Sequence, residues 1–244
     1  MYEKIRKNRV KLIVLSILLV IGIIFVGVPL LNRLTGPDNE EEVESGDTRV
    51  AAVGDSITYD LYVVSNEDEF YPQQLDDLLG EGYAVHNFGV SNYAAQASSD
   101  FPYDTTDEYQ ESLDFEPEVV IIMLGTNDTK ETNWNGSEQF KEEYIELLEN
   151  YRDLSSVSRI ILASPPAAFL EGTVISGAID PDKMKTVGDA VEEVAEEFEL
   201  EFVDVYEETV NHPEYFPDGI HPNEEGSAAL ADLFYQQITE ENSQ

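Results

Sequence analysis

The stretch Val119-Val120-Ile121-Ile122-Met123-Leu124, followed directly by Gly125-Thr126-Asn127-Asp128, is the part of the sequence that decides the fold. Its first six residues are all apolar, with no alternation of polar and apolar side chains, so a strand formed here must be covered on both faces. Such a strand belongs at the centre of a parallel sheet. The four residues that follow are turn and loop formers at the carboxyl end of this strand.

Other apolar runs predict four further strands, at residues 49–53, 84–90, 159–163 and 201–205. Between the strands, apolar residues at i, i+3 and i+4 predict helices over residues 71–79, 137–154, 181–198 and 225–238. This alternation predicts an α/β domain in which helices cover both faces of a parallel sheet. Functional sites in such domains form beyond the carboxyl ends of the strands.

The amino-terminal residues have the pattern of a membrane anchor. Residues 12–31 are apolar apart from Ser16, two glycines and one proline, and a helix of this length spans about 30 Å, enough to cross a bilayer. Five basic residues precede it, so the positive-inside rule predicts a cytoplasmic tail at residues 1–11 and a single-pass signal anchor at 12–31, with the rest outside the cell membrane. A cleaved secretory signal is the alternative, but its apolar region is normally only about 7 to 15 residues long.

The charge is unevenly distributed along the chain. The formal net charge is −38, but residues 1–33 hold six of the 13 basic residues and one of the 51 acids, which leaves 7 basic against 50 acidic residues, a net −43. An acidic linker is predicted at residues 32–47 and a folded domain with an acidic, solvated surface at 48–244. Such a surface argues against nucleic acid as a partner and suggests adaptation to high salt, which screens self-repulsion.

The first strand ends in Gly54-Asp55-Ser56-Ile57-Thr58, which places a hydroxyl group just beyond the edge of the sheet. This is a position suited to a nucleophile, although Thr58 stands where the G-x-S-x-G elbow would have its second glycine. A serine here can equally cap the turn that follows it. The choice depends on the other strand ends.

Two more strands end in residues that can stabilise negative charge. The second runs into Asn-Phe-Gly-Val-Ser-Asn at 87–92 and the third into Gly-Thr-Asn-Asp at 125–128. Backbone N–H groups and an asparagine amide are what an oxyanion hole requires, although each segment alone is also ordinary turn chemistry.

A possible general base lies near the carboxyl terminus, in Asp218-Gly219-Ile220-His221. An aspartate three residues before a histidine can bind one imidazole nitrogen while the other faces a hydroxyl. Of the other two histidines, His86 is expected to be structural because it lies within a strand, and His212 has no carboxylate at a comparable spacing.

With these four segments in this order, the chain resembles the SGNH/GDSL hydrolase family over essentially all of residues 48–240. The resemblance implies a flavodoxin-like three-layer α/β/α sandwich with about five parallel strands. It also implies roles for individual residues: Ser56 as nucleophile and first oxyanion donor, the Gly89 N–H as second donor, the Asn127 side chain as third, His221 as general base, and Asp218 as the group that orients His221.

Shorter patterns resemble the branches of this family that act as carbohydrate or sialate O-acetylesterases: Tyr71-Pro72, Asn-Phe-Gly-Val-Ser at 87–91, Asn133-Trp134 and Ser164-Pro165-Pro166. Two residues depart from the family pattern. Asp60 and Asn92 stand where glycine is common, in loops beside the nucleophile, so they affect the shape of the pocket and leave the triad intact.

The sequence therefore predicts a membrane-anchored, extracytoplasmic serine esterase that removes short acyl groups, O-acetyl above all, from small-molecule or glycan esters. Asp55 and Trp134 are possible substrate-binding residues, since Trp134 could stack on a sugar ring. No metal or organic cofactor is required by this chemistry, and the absence of cysteine excludes disulfides and thiolate ligands. The alternatives are an acyltransferase that uses the same triad on surface glycans, and a surface binding module without turnover.

Overall fold

The sheet is built from five parallel strands in a computed structural model that describes residues 43–59, 70–169 and 179–240. The strands are β1 Thr48–Gly54, β2 Tyr83–Gly89, β3 Val119–Met123, β4 Arg159–Ala163 and β5 Glu201–Val203. Their order across the sheet is β2-β1-β3-β4-β5. β3 lies at the centre and is buried along its whole length, as its uninterrupted apolar sequence predicts.

Helices follow the strands along the described residues. They are α1 Ser56–Tyr59, α2 Tyr71–Leu79, α3 Asp107–Asp114, α4 Ser137–Arg152, α5 Pro181–Glu197, α6 Val205–Thr209 and α7 Glu224–Glu240. Single 3₁₀ turns form at Tyr103–Thr105, Asn127–Thr129 and Pro213–Tyr215.

The two faces of the sheet form two separate apolar cores, because successive side chains of a strand point to opposite faces. Val50 and Ala52 of β1 pack with α2 and α7, whereas Ala51 and Val53 of the same strand pack with α4 and α5. The predicted α/β fold with a central five-stranded parallel sheet is confirmed.

The sheet has a topological switch point at β1. The next strand along the chain, β2, pairs with one edge of β1, and β3 pairs with the other. In this register Gly54 lies opposite both Gly89 and Met123, so three strands end side by side. Ligand sites of open parallel sheets form at such points.

One longer helix, α3, was missed by the sequence patterns. Its sequence DEYQESLD has only two large apolar residues, Tyr109 and Leu113, and both are only partly buried. The helix is instead marked by its amino-terminal cap, where Thr106 Oγ1 accepts a hydrogen bond from the Tyr109 N–H at 3.0 Å. The four helices predicted from periodicity all form.

The predicted cytoplasmic tail and signal anchor, and most of the predicted linker, lie outside the described residues. No helix in residues 43–59, 70–169 or 179–240 is both long and apolar enough to span a bilayer.

All seven basic residues of the acidic part of the chain already have partners in the structure. Five of them form ion pairs with carboxylates: Arg49, Lys141, Arg159, Lys183 and Lys185. The Arg152 guanidinium lies over the Phe198 ring, 4.6 Å from its centroid. Lys130 binds the side chain of Asn92. Because no lysine or arginine of this part of the chain is left over, we expect cations from solution to balance most of its remaining exposed carboxylates.

We therefore expect the free energy of unfolding of the purified chain to rise when NaCl is increased from about 10 mM to about 2 M, because counterions then screen carboxylate repulsion over a few ångströms. Urea unfolding followed by the fluorescence of Trp134, the single tryptophan, measures this change. A sucrose series serves as the control, because sucrose strengthens burial without screening charge. Equal stability at both salt concentrations would contradict the expectation.

Candidate active site

The nucleophile turn between β1 and α1 is tight and needs a glycine. A Cβ on Gly54 would lie 1.9 Å from Thr58 Oγ1, so no other residue fits there without displacing the helix. Asp55 Oδ1 accepts a hydrogen bond from the Ile57 N–H at 3.0 Å and so caps the first turn of α1. Ser56 is therefore not the cap, and its hydroxyl is available to another partner.

That partner is His221. Ser56 Oγ lies 2.9 Å from His221 Nε2, and His221 Nδ1 lies 2.7 Å from Asp218 Oδ2. Ser56 is 7% exposed and His221 9% exposed, so the hydroxyl and the imidazole meet just below the surface. The structure thus brings together three predicted residues, two of them separated from Ser56 by more than 160 positions in the sequence.

The carboxylate of Asp218 is held by the backbone that follows it. Its Oδ1 accepts hydrogen bonds from the N–H groups of Ile220 at 2.9 Å and of His221 at 2.8 Å. Partial burial raises the pKa of Asp218, but the hydrogen bonds from the His221 side chain and from these two N–H groups outweigh it and lower the pKa to about 2. Asp218 is therefore ionised at neutral pH and can stabilise an imidazolium at His221.

Two of the predicted oxyanion donors lie beside this turn. Ser56 is the first residue of α1, and its N–H donates to no acceptor in the described part of the chain. Asn127, in the 3₁₀ turn after β3, directs its Nδ2 to the Tyr93 carbonyl oxygen at 2.9 Å and to Asp55 Oδ2 at 3.3 Å. The asparagine amide is thus oriented against the nucleophile turn by two protein acceptors.

The third predicted donor, the Gly89 N–H, does not fit the role predicted for it. It donates to Asn87 Oδ1 at 2.9 Å, and a Cβ on Gly89 would lie 2.3 Å from the Tyr59 backbone nitrogen. Gly89 therefore serves the close packing of β2 on the backbone of α1, and its N–H is already in use.

Asn92 offers a free donor in place of Gly89. Val90 donates its N–H to the Gly54 carbonyl oxygen at 3.0 Å, which fixes the chain after β2 beside the chain after β1. Two residues on, Asn92 has φ +78° and an N–H that donates to no acceptor among the described residues. The sequence signal for this donor is the position of Asn92 itself, where glycine is common in the family.

Three buried charges surround these loops. Asp55 is 0% exposed, so its carboxylate is out of reach of a substrate, and burial raises its pKa. Asp128 accepts hydrogen bonds from the Ala95 and Gln96 N–H groups at 3.0 and 2.9 Å, and burial raises its pKa to about 6. Lys130 is only 6% exposed. No sequence pattern predicts a role for Asp128 or Lys130, because a buried charged residue and a solvated one look alike in the sequence.

The remaining candidates lie elsewhere. The Trp134 ring is partly buried against Phe140, with ring centroids 6.2 Å apart, so sugar stacking by Trp134 stays a prediction. His86 stacks on Phe115 at 4.3 Å, and His212 binds the exposed Glu214 at 2.9 Å. Asp60 lies outside the described residues, and within those residues no group of three or more metal-binding side chains is found.

A hydroxyl, an imidazole and a carboxylate joined in this order at the switch point of a parallel sheet define a site of the serine-hydrolase class. The model of the GDSL-like Lipase/Acylhydrolase family matches residues 52–229, and the chain belongs to this family. The resemblance inferred from the four sequence segments is thereby confirmed.

The proteins that this chain is similar to have names that describe esterases. The chain is 32% identical over 203 residues to an acetylxylan esterase of Xylanibacter ruminicola, covering 76% of this chain but only 42% of that protein, so it spans less than half the length of this relative. Its fold resembles a carbohydrate acetylesterase from Sinorhizobium meliloti, with a TM-score of 0.64, 18% identity and coverage of 80% and 99% of the two chains. It also resembles the M. smegmatis aryl esterase, with a TM-score of 0.65, 19% identity and coverage of 79% and 99%.

Replacing Asp218 by asparagine tests the geometry of the triad. The amide would donate to His221 Nδ1 and leave the proton on Nε2, which could then no longer accept the Ser56 proton. We expect kcat for an ester to fall by about 10⁴-fold. The matched control is Glu214→Gln at the exposed His212–Glu214 pair, where kcat should not change. Similar rates for Asp218→Asn and the unmodified chain would refute a role of this pair in turnover.

Proposed function

We propose that this chain is a serine esterase that removes short acyl groups, acetyl above all, from carbohydrate esters. The observation that carries the proposal is the continuous hydrogen-bonded path from Ser56 Oγ through His221 to Asp218, with contacts of 2.9 and 2.7 Å. Membership of the GDSL-like family and the names of the acetylxylan esterase and carbohydrate acetylesterase relatives support it.

In the proposed mechanism, His221 Nε2 removes the Ser56 proton as Oγ attacks the ester carbonyl carbon. The negative charge that develops on the carbonyl oxygen is stabilised by the N–H groups of Ser56 and Asn92 and by the Asn127 amide. When the carbon–oxygen bond to the alcohol breaks, the imidazolium returns its proton to the leaving oxygen. A water molecule, deprotonated by His221, then releases the acid from the acyl-enzyme.

For this step the Asn127 amide must direct one N–H towards the oxyanion. The amide makes two hydrogen bonds, and the one to Asp55 Oδ2 is the longer, at 3.3 Å. In the proposed step the oxyanion replaces Asp55 as the acceptor. The 2.9 Å bond to the Tyr93 carbonyl oxygen remains and keeps the amide plane in position. Hydrogen bonds of catalytic groups in the absence of substrate are often long and tighten only in the reacting complex.

The charge distribution favours neutral substrates. The acidic part of the chain has a net charge of −43 from 7 basic and 50 acidic residues, and each of its basic residues is engaged. Such a surface repels anionic esters at low salt and does not repel acetylated neutral sugars.

A panel of esters tests the proposed substrate class. We expect p-nitrophenyl acetate and acetylated xylan oligosaccharides to be hydrolysed at least about 10-fold faster, as kcat/KM, than p-nitrophenyl palmitate, and Ser56→Ala to abolish all three activities. Ser158→Ala, which removes a hydroxyl from the exposed Ser158, is the matched control and should leave the rates unchanged.

Each other outcome of this panel points to a different function. Absence of Ser56-dependent turnover of any ester would overturn the proposal and favour a binding module. Acyl transfer to an added sugar acceptor that outpaces hydrolysis would favour an acyltransferase.

We further propose that residues 12–31 hold the enzyme at the cell membrane, with the catalytic domain outside. The proposal rests on the apolar run and the basic residues before it. The full chain should sediment with membranes after alkaline carbonate washing and be cut by protease added to intact cells, while a chain starting at residue 34 should stay in the supernatant. Recovery of the full chain in the soluble fraction would contradict this location.

A further inference from the structure

Asn92 has a backbone conformation that needs support. Its φ of +78° lies in the left-handed region, which among non-glycine residues of the described chain is shared only by Glu116 and Glu199. Asparagine tolerates this region better than most residues, but at some cost compared with glycine. The candidate donor N–H of Asn92 is held in this strained conformation.

Lys130 supplies that support. It lies just after the 3₁₀ turn that carries Asn127, and its Nζ donates to Asn92 Oδ1 at 2.6 Å and approaches the Asn92 carbonyl oxygen at 3.4 Å. One ammonium group thus contacts both the side-chain oxygen of Asn92 and the carbonyl oxygen of the peptide between Asn92 and Tyr93. This holds the side chain and the backbone of Asn92 in a fixed arrangement.

The residues after Asn92 are fastened to the same turn. Asn127 Nδ2 binds the Tyr93 carbonyl oxygen, and Asp128 accepts the N–H groups of Ala95 and Gln96. The loop of residues 92–96 is therefore held by three side chains from positions 127–130, and Lys130 is the one that holds its first residue, Asn92.

We propose that Lys130 is a positioning residue for the oxyanion hole: by gripping Asn92 it fixes the Asn92 N–H and, through the adjacent Tyr93 carbonyl, the amide of Asn127. The inference rests on the proposed esterase function and assigns Lys130 no contact with the substrate. The Lys130–Asn92 pair takes the place of a glycine, which would reach the same φ without strain but would leave the loop without this anchor.

The local charges explain why a buried lysine is tolerated here. Burial lowers the pKa of the Lys130 ammonium, while the carboxylates of Asp100, Asp55 and Asp128 act in the opposite direction and favour its charged form. A neutral side chain of similar length would lose both the grip on Asn92 and the positive charge among these carboxylates.

The experiment uses the full chain and p-nitrophenyl acetate, with kcat expressed per active site after titration of Ser56 to completion by a fluorophosphonate. Lys130→Met should lower kcat by about 10- to 100-fold with little change in KM, less than the loss of a whole oxyanion donor, which costs about 100- to 1000-fold. Lys130→Arg should restore part of the activity. The matched control is Lys141→Met, which removes a surface lysine paired with Glu138 and Glu193, and it should retain full kcat.

A double-mutant cycle separates positioning from a general effect on folding. Asn92→Gly should also lower kcat, and Lys130→Met combined with Asn92→Gly should be no worse than the more damaging single variant, because both break the same contact. If Lys130→Met does not fold, as judged by urea unfolding, Asn92→Gly and Lys130→Arg still test the contact.

Three results would overturn the proposal while leaving the esterase function intact. The first is a kcat of Lys130→Met within about twofold of the unmodified chain, and the second is an effect confined to KM. The third is a double variant whose fold-loss in kcat equals the product of the losses of the two single variants. Absence of Ser56-dependent turnover in the unmodified chain would instead overturn the esterase function, and the role of Lys130 with it.

Discussion

The hydrogen bond from the Ile57 N–H to Asp55 Oδ1 is the contact on which the rest of the site depends. It closes the turn from β1 into α1 without using the hydroxyl of Ser56, so that hydroxyl remains available to His221. The turn is possible only because Gly54 has no side chain to meet Thr58 and because Gly89 lets the neighbouring strand lie against the backbone of α1. Two glycines and a buried aspartate thus position Ser56 without making a hydrogen bond to its hydroxyl.

Burying Asp55 has an electrostatic consequence for the whole region. Two carboxylates, Asp55 and Asp128, lie fully buried near the place where negative charge would develop on a substrate. Isolated buried charges are costly, and here they are offset by backbone N–H donors, by the Asn127 amide and by Lys130. The same groups that neutralise these carboxylates also position the loop that carries Asn92, so electrostatic balance and geometry are coupled at this site.

Much of the fold was predictable because its signals are local. The uninterrupted apolar run of β3 and the helical periodicity of α2, α4, α5 and α7 each reflect burial, which repeats along the chain at short range. No periodic pattern marks helix α3, because it contains only two large apolar residues. Its one sequence signal is the amino-terminal cap at Thr106. The triad residues were predictable because each stands in a short, ordered motif at a strand end or before a helix.

By itself the sequence determined the class of fold, the membership of the family and the identity of Ser56, Asp218 and His221 as candidates, because these depend on periodicity and motif order along one chain. Only the tertiary structure decided that Asp55 caps the turn and is closed to substrate, that the Gly89 N–H is taken by Asn87, and that Lys130 reaches Asn92. The physical reason is that burial and the choice of hydrogen-bond partner are set by how the folded segments pack. Lys130 and Asn92 are 38 positions apart. The contacts made by Asp55 and Gly89 span only two positions, but they too depend on the conformation of the folded turn. No local pattern records which of two neighbouring N–H groups already has an acceptor.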